Sequence, residues 1–215
     1  MALSKMLNCN KGGFHPKLVN RFLLVPFISF FVLSVAWLEG HLLQKAHWTG
    51  WAAILTLVNA LLLYTPWAVA IIVTRHLMIG TVAILGFFMI AVGLFLLATA
   101  LFPIIQVPGQ MRSLPERLVV EGPYRWVRHP VYLSHFLLIG GSALACGALK
   151  VYLETPIVLG MAAIGGKYEE SRRLLPLFGR TFEQYRAKTH FLLPAWGWVG
   201  LGFIYSLMAF RVFLP

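Results

Sequence analysis

Two short stretches of this chain concentrate the residues that could do chemistry. The first reads Glu121-Gly-Pro-Tyr-Arg-Trp-Val-Arg-His-Pro-Val-Tyr-Leu-Ser134. Gly122-Pro123 signals a turn, and Pro130 suits the first turn of a following helix, where a missing N–H costs nothing. Arg128 and His129 therefore sit at a helix mouth, whose free N–H groups attract a carboxylate or a phosphate, with two arginines to strengthen the attraction. The second stretch reads Lys167-Tyr-Glu-Glu-Ser-Arg-Arg-Leu-Leu-Pro-Leu-Phe-Gly-Arg-Thr-Phe-Glu-Gln-Tyr-Arg186. Adjacent Glu169 and Glu170 stand out in a chain with only 7 acids. Surface pairing with Arg172 and Arg173, three and four residues on, is worth roughly tenths of a kcal/mol. That gives no reason to place two carboxylates beside an apolar run; binding an ammonium group would.

The elements that position these stretches are membrane helices. Of 215 residues, 59% are apolar and 12% charged, the latter about half the ~25% usual in soluble domains. A soluble domain of this length has too little interior to hide that much apolar surface. Hydrophobic blocks long enough to span occur at Leu18–Leu38, Trp51–Val73 (with Pro66 as a kink) and Ile79–Phe102, which Pro103 is expected to stop. Val131–Leu149 and Val151–Gly165 follow, divided at Lys150, and read as a tight hairpin. Glu154 belongs near the far end of that hairpin, away from mid-bilayer. A last apolar stretch, Trp198–Leu214, contains Arg211 and either spans or lies in the interface. The expected fold is all-α, multi-pass, with about five to six membrane helices in a single domain over 1–215. Within it, 1–105 carries three helices, 106–194 the chemistry, and 195–215 the last apolar segment.

The polar stretches Gln106–Pro130 and Gly166–Pro194 flank the hairpin and so emerge on one face. They hold 10 of the 18 Lys and Arg, which makes that face cytoplasmic and the N-terminus external. The basic N-terminal tail, with Lys5, Lys11 and Lys17, votes the other way, and the larger count decides. The net charge of +11 therefore points to anionic headgroups and membrane lipids, not to nucleic acid, for which no separate basic module exists. Phe178-Gly179 should break the polar helix that leaves the hairpin. Cys9 and Cys146 form neither a disulfide framework nor a zinc site. His15, His41, His47, His76 and His190 have no metal spacing, and His135 reads as a packed residue. No cleavable signal peptide and no internal repeat is visible, which speaks against an inverted-repeat transporter.

The ordered set Gly-Pro-Tyr-Arg-x-x-Arg-His-Pro-x-Tyr, a hydrophobic hairpin, then Glu-Glu…Phe-Gly…Tyr resembles the isoprenylcysteine carboxyl methyltransferase and phospholipid methyltransferase superfamily. The likeness covers about Glu116 to Pro194. It implies an integral membrane enzyme using S-adenosylmethionine, bound at the cytoplasmic face between the first motif and the helix after the hairpin. Carried over by position, Tyr124, His129, Pro130, Val131 and Tyr132 contact the cofactor, as does the stretch Glu116, Arg117, Leu118 and Val119. Glu170 falls on the family's cofactor-binding glutamate, and Glu169 on the companion acid of the phospholipid N-methyltransferases. The cofactor's carboxylate suits His129, Arg128 and backbone N–H groups, and its ammonium suits Glu169 or Glu170. Tyr124 and Tyr132 could flank its adenine or sulfonium.

Arg128, Lys167 and Glu170 are the residues assigned to catalysis. Lys167 stands in for an acceptor-binding arginine of the isoprenylcysteine enzymes, whose own position is Gly166 here; Ser134 replaces a family glycine. These departures touch the acceptor, not the methyl donor. A prenylated or lipid carboxyl acceptor from the bilayer leads, followed by phospholipid amines and thiols. An NADPH-binding, sterol-reductase-like protein and a non-catalytic membrane scaffold are the other classes. No metal and no obligate protein partner is expected.

Overall fold

The computed structural model describes residues 49–75, 80–106 and 117–213. The first hydrophobic block, Leu18–Leu38, lies outside the described residues, as do Glu116, Cys9, His15, His41, His47 and His76. The described residues are helical, with no strand among them. In chain order the helices are α1 (Thr49–Thr74), α2 (Thr81–Ile105), α3 (Pro130–Ala145), α4 (Leu149–Glu154), α5 (Pro156–Glu169), α6 (Leu175–Lys188) and α7 (Ala195–Phe213). A 3₁₀ turn covers Gly122–Arg125, and a π-helical turn, Glu170–Leu174, joins α5 to α6. Three stretches are long and apolar enough to cross a bilayer: Thr81–Ile104, Leu149–Lys188 and Ala195–Phe213. With the shorter apolar helices, they make a multi-pass helical membrane protein.

α2 and α3 form the most extensive pair, and two glycines explain how closely they approach. A Cβ on Gly86 would run into the Ala145 nitrogen and lie 2.7 Å from the Gly141 carbonyl oxygen. One on Gly141 would lie 2.8 Å from the Gly86 oxygen. Backbone thus meets backbone, the arrangement small residues permit between membrane helices, where packing replaces the hydrophobic drive. The core beside this crossing gathers Trp67 of α1, Phe136 and Leu144 of α3, Tyr152 of α4, Leu159 of α5 and Met208 of α7.

Two expectations need correction. α2 runs through Pro103 and ends two residues beyond it, at Ile105; the proline has no N–H to offer the carbonyl four residues earlier, and the chain leaves the helix within the same turn. The hairpin turns at Cys146–Ala148, before Lys150, which lies inside α4. Gly147 adopts φ 69°, with its N–H bonding the Leu144 carbonyl at 3.0 Å and the Ala148 N–H bonding that of Ala143 at 2.8 Å. That is a Schellman cap, which needs a left-handed residue and so prefers glycine. A lysine, a good helix former, has no such effect. The returning arm is itself divided at Thr155, with Pro156 opening α5. Glu154 closes α4, on the hairpin side away from Arg128.

The expected break after the hairpin is present: Gly179 takes φ 46°, ψ −122° inside α6. His135 packs edge-on against Tyr64, whose hydroxyl bonds its Nδ1. The last apolar stretch forms α7, with Arg211 in its final turn.

Candidate functional site

The two polar stretches meet where α3 begins. Val127 and His190 form a parallel bridge. Around it, the Arg128 N–H bonds the His190 carbonyl at 2.9 Å, and the His190 N–H bonds that of Trp126 at the same distance. The His129 N–H reaches the Phe191 carbonyl at 3.3 Å. These bonds hold the Arg-His pair against the segment following α6. The Tyr185 hydroxyl adds a donor to the Tyr124 carbonyl at 2.8 Å, tying α6 to the 3₁₀ turn.

Arg128 links three elements. Its Nε donates to Oε1 of Glu170 at 2.7 Å. Its Nη1 donates to the carbonyls of Arg186 at 3.0 Å and Thr189 at 2.6 Å, where α6 ends and a cation suits the helix dipole. Its guanidinium also lies over the Phe191 ring, 5.5 Å from the centroid. His129 is buried, with Nε2 3.0 Å from Oε1 of Glu170 and Nδ1 3.8 Å from Oε2 of Glu169. Its ring stacks on Tyr132 and meets Phe191 edge-on. The glutamates themselves sit where α5 passes into the π turn, a local widening that often marks functional positions in helices.

Beside this cluster opens a cleft of about 240 Å³. Leu101 and Ile104 of α2, with Leu118, Val119 and Val131, give it an apolar wall. Tyr124, Tyr132, Tyr185, Arg128, His129, Glu169 and Arg173 give it polar groups. Burial pushes the Tyr124 phenol well above its ordinary range, and the charge of Glu169 pushes it further, with Tyr185 and Tyr132 acting in the same sense. Its hydroxyl therefore stays protonated near neutrality.

Residues 78–164 match the Isoprenylcysteine carboxyl methyltransferase (ICMT) family. This bears out the resemblance drawn from the two motifs and the hairpin over the first motif and most of the hairpin, and it supports a membrane methyltransferase of the ICMT type. Comparison with curated proteins and with solved structures gives no match.

The ICMT match spans α2, the Arg-His-Pro motif, α3, α4 and most of α5, and ends before Glu169. Of the residues named from sequence, Leu118, Val119, Tyr124, Arg128, His129, Val131, Tyr132 and Glu169 all line the cleft. Pro130 is buried at the start of α3 and Glu170 is buried behind the cleft wall. Arg117 is exposed and paired with Glu121 at 2.6 Å, and Lys167 is exposed; neither lines the cleft.

Gly166 has a local cause: a Cβ there would fall 2.9 Å from Phe191 Cζ and 3.0 Å from His129 Nε2. The imidazole occupies the space a side chain at 166 would need. Ser134 is buried and bonds the Val131 carbonyl at 2.6 Å, so it replaces a glycine without an unsatisfied hydroxyl. The surface pair weighed for Glu169 and Arg173 is present at 3.5 Å, whereas the partners of Glu170, His129 and Arg128, come from 41 and 42 residues earlier.

Tyr185, Leu101, Ile104 and Phe191 have no role in the sequence reading, and Arg173 only that of a surface ion-pair partner. Tyr185 was within the second motif, and Arg173 was signalled by its four-residue spacing from Glu169. Leu101 and Ile104 carry no signal beyond membership of an apolar helix.

Proposed function

We propose that this protein is an integral membrane methyltransferase that uses S-adenosylmethionine and methylates a lipophilic acceptor reaching the cleft from the bilayer, in the manner of the isoprenylcysteine carboxyl methyltransferases. The observation that carries this reading is the cleft itself: one carboxylate, arginines and three tyrosines face an apolar wall built by a membrane helix. The donor set fits the cofactor. A carboxylate suits its ammonium, cations suit its carboxylate, and aromatic faces suit adenine and sulfonium.

When bound, S-adenosylmethionine supplies a methyl group on a sulfonium sulfur, a leaving group that needs no further activation. The work left to the chain is to hold, orient and keep water out. Tyr124, with its protonated hydroxyl, and Tyr132 are placed to flank the ligand. Leu101 and Ile104 extend from α2 into the cleft and offer a surface for an acyl or prenyl chain. Such a chain arriving along α2 need never leave the apolar phase, which keeps water away from the reacting atoms. A carboxylate or thiolate acceptor needs no base here, whereas an ammonium acceptor must first lose a proton. The clustering of basic residues around the cleft supports placing it at the cytoplasmic face.

Calorimetric titration of detergent-purified protein with S-adenosylmethionine, S-adenosylhomocysteine and NADPH tests the reading. Binding of the first two is expected, and would be followed by a screen of prenylated carboxyl, phospholipid amine and thiol acceptors. Binding of NADPH alone, or of none by folded protein, would overturn it.

A further inference from the structure

A second cavity opens far from the cleft. It measures about 380 Å³ and is lined by Val82 and Leu85 of α2 and by Leu207, Met208, Phe210 and Arg211 of α7. Leu101 and Ile104, which line the cleft, stand about 20 residues further along α2. At a rise of 1.5 Å per residue the two openings are roughly 30 Å apart, the thickness of a bilayer's hydrocarbon core. The second cavity therefore sits at the opposite membrane boundary.

Its floor and its rim differ. Val82 and Met208 are buried in the common core and close the cavity toward the protein. Leu207 and Phe210 are exposed, on the side that meets lipid. Arg211 lies in the last turn of α7, where the apolar stem of an arginine carries its head to the headgroup layer. We propose that this cavity binds an anionic phospholipid, with one acyl chain between α2 and α7 and the lipid phosphate on the Arg211 guanidinium. The site is separate from methyl transfer and does not depend on it.

Charge decides which lipid stays. A groove open to the bilayer fills with hydrocarbon whatever the headgroup above it. No carboxylate lines the cavity, and among the described residues none pairs with Arg211. The guanidinium can therefore turn its fork of donors to a phosphate. The Thr81 hydroxyl, also at the cavity, adds a donor that a phosphate oxygen can accept. An ammonium on a zwitterionic headgroup finds no partner among these groups, so a headgroup carrying negative charge alone is favoured. An arginine that merely anchored α7 at the interface would select no lipid and fix no stoichiometry.

The test is native mass spectrometry of the full-length protein, titrated in detergent with phosphatidylglycerol or phosphatidylcholine of the same acyl chains. Wild type should hold one phosphatidylglycerol roughly 5-fold more tightly than phosphatidylcholine, the worth of one basic residue near a headgroup. Arg211→Gln should lose that preference, and Arg211→Lys should keep most of it. Leu207→Trp, at an exposed position, should fill the groove and weaken both lipids. Ile104→Trp, which obstructs the cleft instead, should leave the preference intact. Glycerol 3-phosphate, which has the phosphate without the chains, should not bind.

Equal retention of the two lipids by wild type would overturn the site, as would a preference kept in Arg211→Gln. A preference lost in Ile104→Trp but kept in Leu207→Trp would move the lipid to the cleft and overturn it too. Binding of glycerol 3-phosphate as tight as that of the lipid would show a phosphate site with no use for the groove.

Discussion

Nε2 of His129 lies 3.0 Å from Oε1 of Glu170, across 41 residues of chain and an intervening helical hairpin. The hairpin is therefore the device that closes the site: α3 leaves the polar face at His129, and α4 and α5 return to it at Glu170. Everything that fixes the pitch of the hairpin also fixes this contact.

Arg128 should be among the costliest residues to truncate. Arg128→Ala removes the partner of a buried carboxylate and the cap on α6, and breaking a buried pair costs about 3–5 kcal/mol. Arg128→Lys restores the charge but not the fork that serves Glu170 from Nε and the Arg186 and Thr189 carbonyls from Nη1, so only part of the loss should return. Denaturation in mixed micelles, followed by intrinsic fluorescence, checks the order wild type, Lys, Ala.

Gly166→Ala tests whether the imidazole needs the empty space beside it. The added methyl would lie 2.9 Å from Phe191 and 3.0 Å from the His129 ring, and overpacking of this kind costs about 1–3 kcal/mol. Affinity for S-adenosylhomocysteine should fall by more than stability does, because His129 is the group displaced. A stability loss with unchanged affinity would show that His129 does not serve the ligand.

Gly141→Ala probes the α2–α3 crossing far from the cleft. Its Cβ would meet the Gly86 oxygen at 2.8 Å and the Ile90 nitrogen at 2.9 Å, both backbone atoms that cannot rotate away. The helices must separate, so we expect a drop in denaturation midpoint larger than for Gly160→Ala, where nothing lies within 4 Å.

At Gly179 the cost is conformational. With φ at 46° and no neighbour within 4 Å of a built Cβ, Gly179→Ala should destabilise the bend by about 1–2 kcal/mol. Faster proteolysis within α6, without loss of the α2–α3 pair, would be the signature.

Tyr185→Phe deletes one hydrogen bond, the 2.8 Å contact to the Tyr124 carbonyl. A loss of about 1 kcal/mol is expected. Because Tyr185 also lines the cleft, ligand affinity should decline modestly, which calorimetry would read.

Much of the membrane architecture was legible in composition and hydropathy, since a bilayer demands long apolar helices whatever their partners. The Arg-His-Pro motif placed Arg128 and His129 at a helix mouth because proline favours a first turn, and Gly179 announced its break by being glycine. Local rules were off by two residues at Pro103, after which α2 ends at Ile105, and failed at Lys150, which charge suggested as the turn that Gly147 makes. The resemblance brought the Arg-His-Pro motif and the two glutamates to one site, but the individual contacts between residues distant in sequence were not readable. Nothing in the order of residues says that Arg128 reaches the carbonyls ending α6, that His129 fills the space over Gly166, or that Glu169 faces the cleft while Glu170 faces His129. Those outcomes depend on the crossing of α2 and α3, the length of the hairpin and the π turn that follows it. Each sets distances between groups about 40 to 60 residues apart, and only packing in three dimensions can do that.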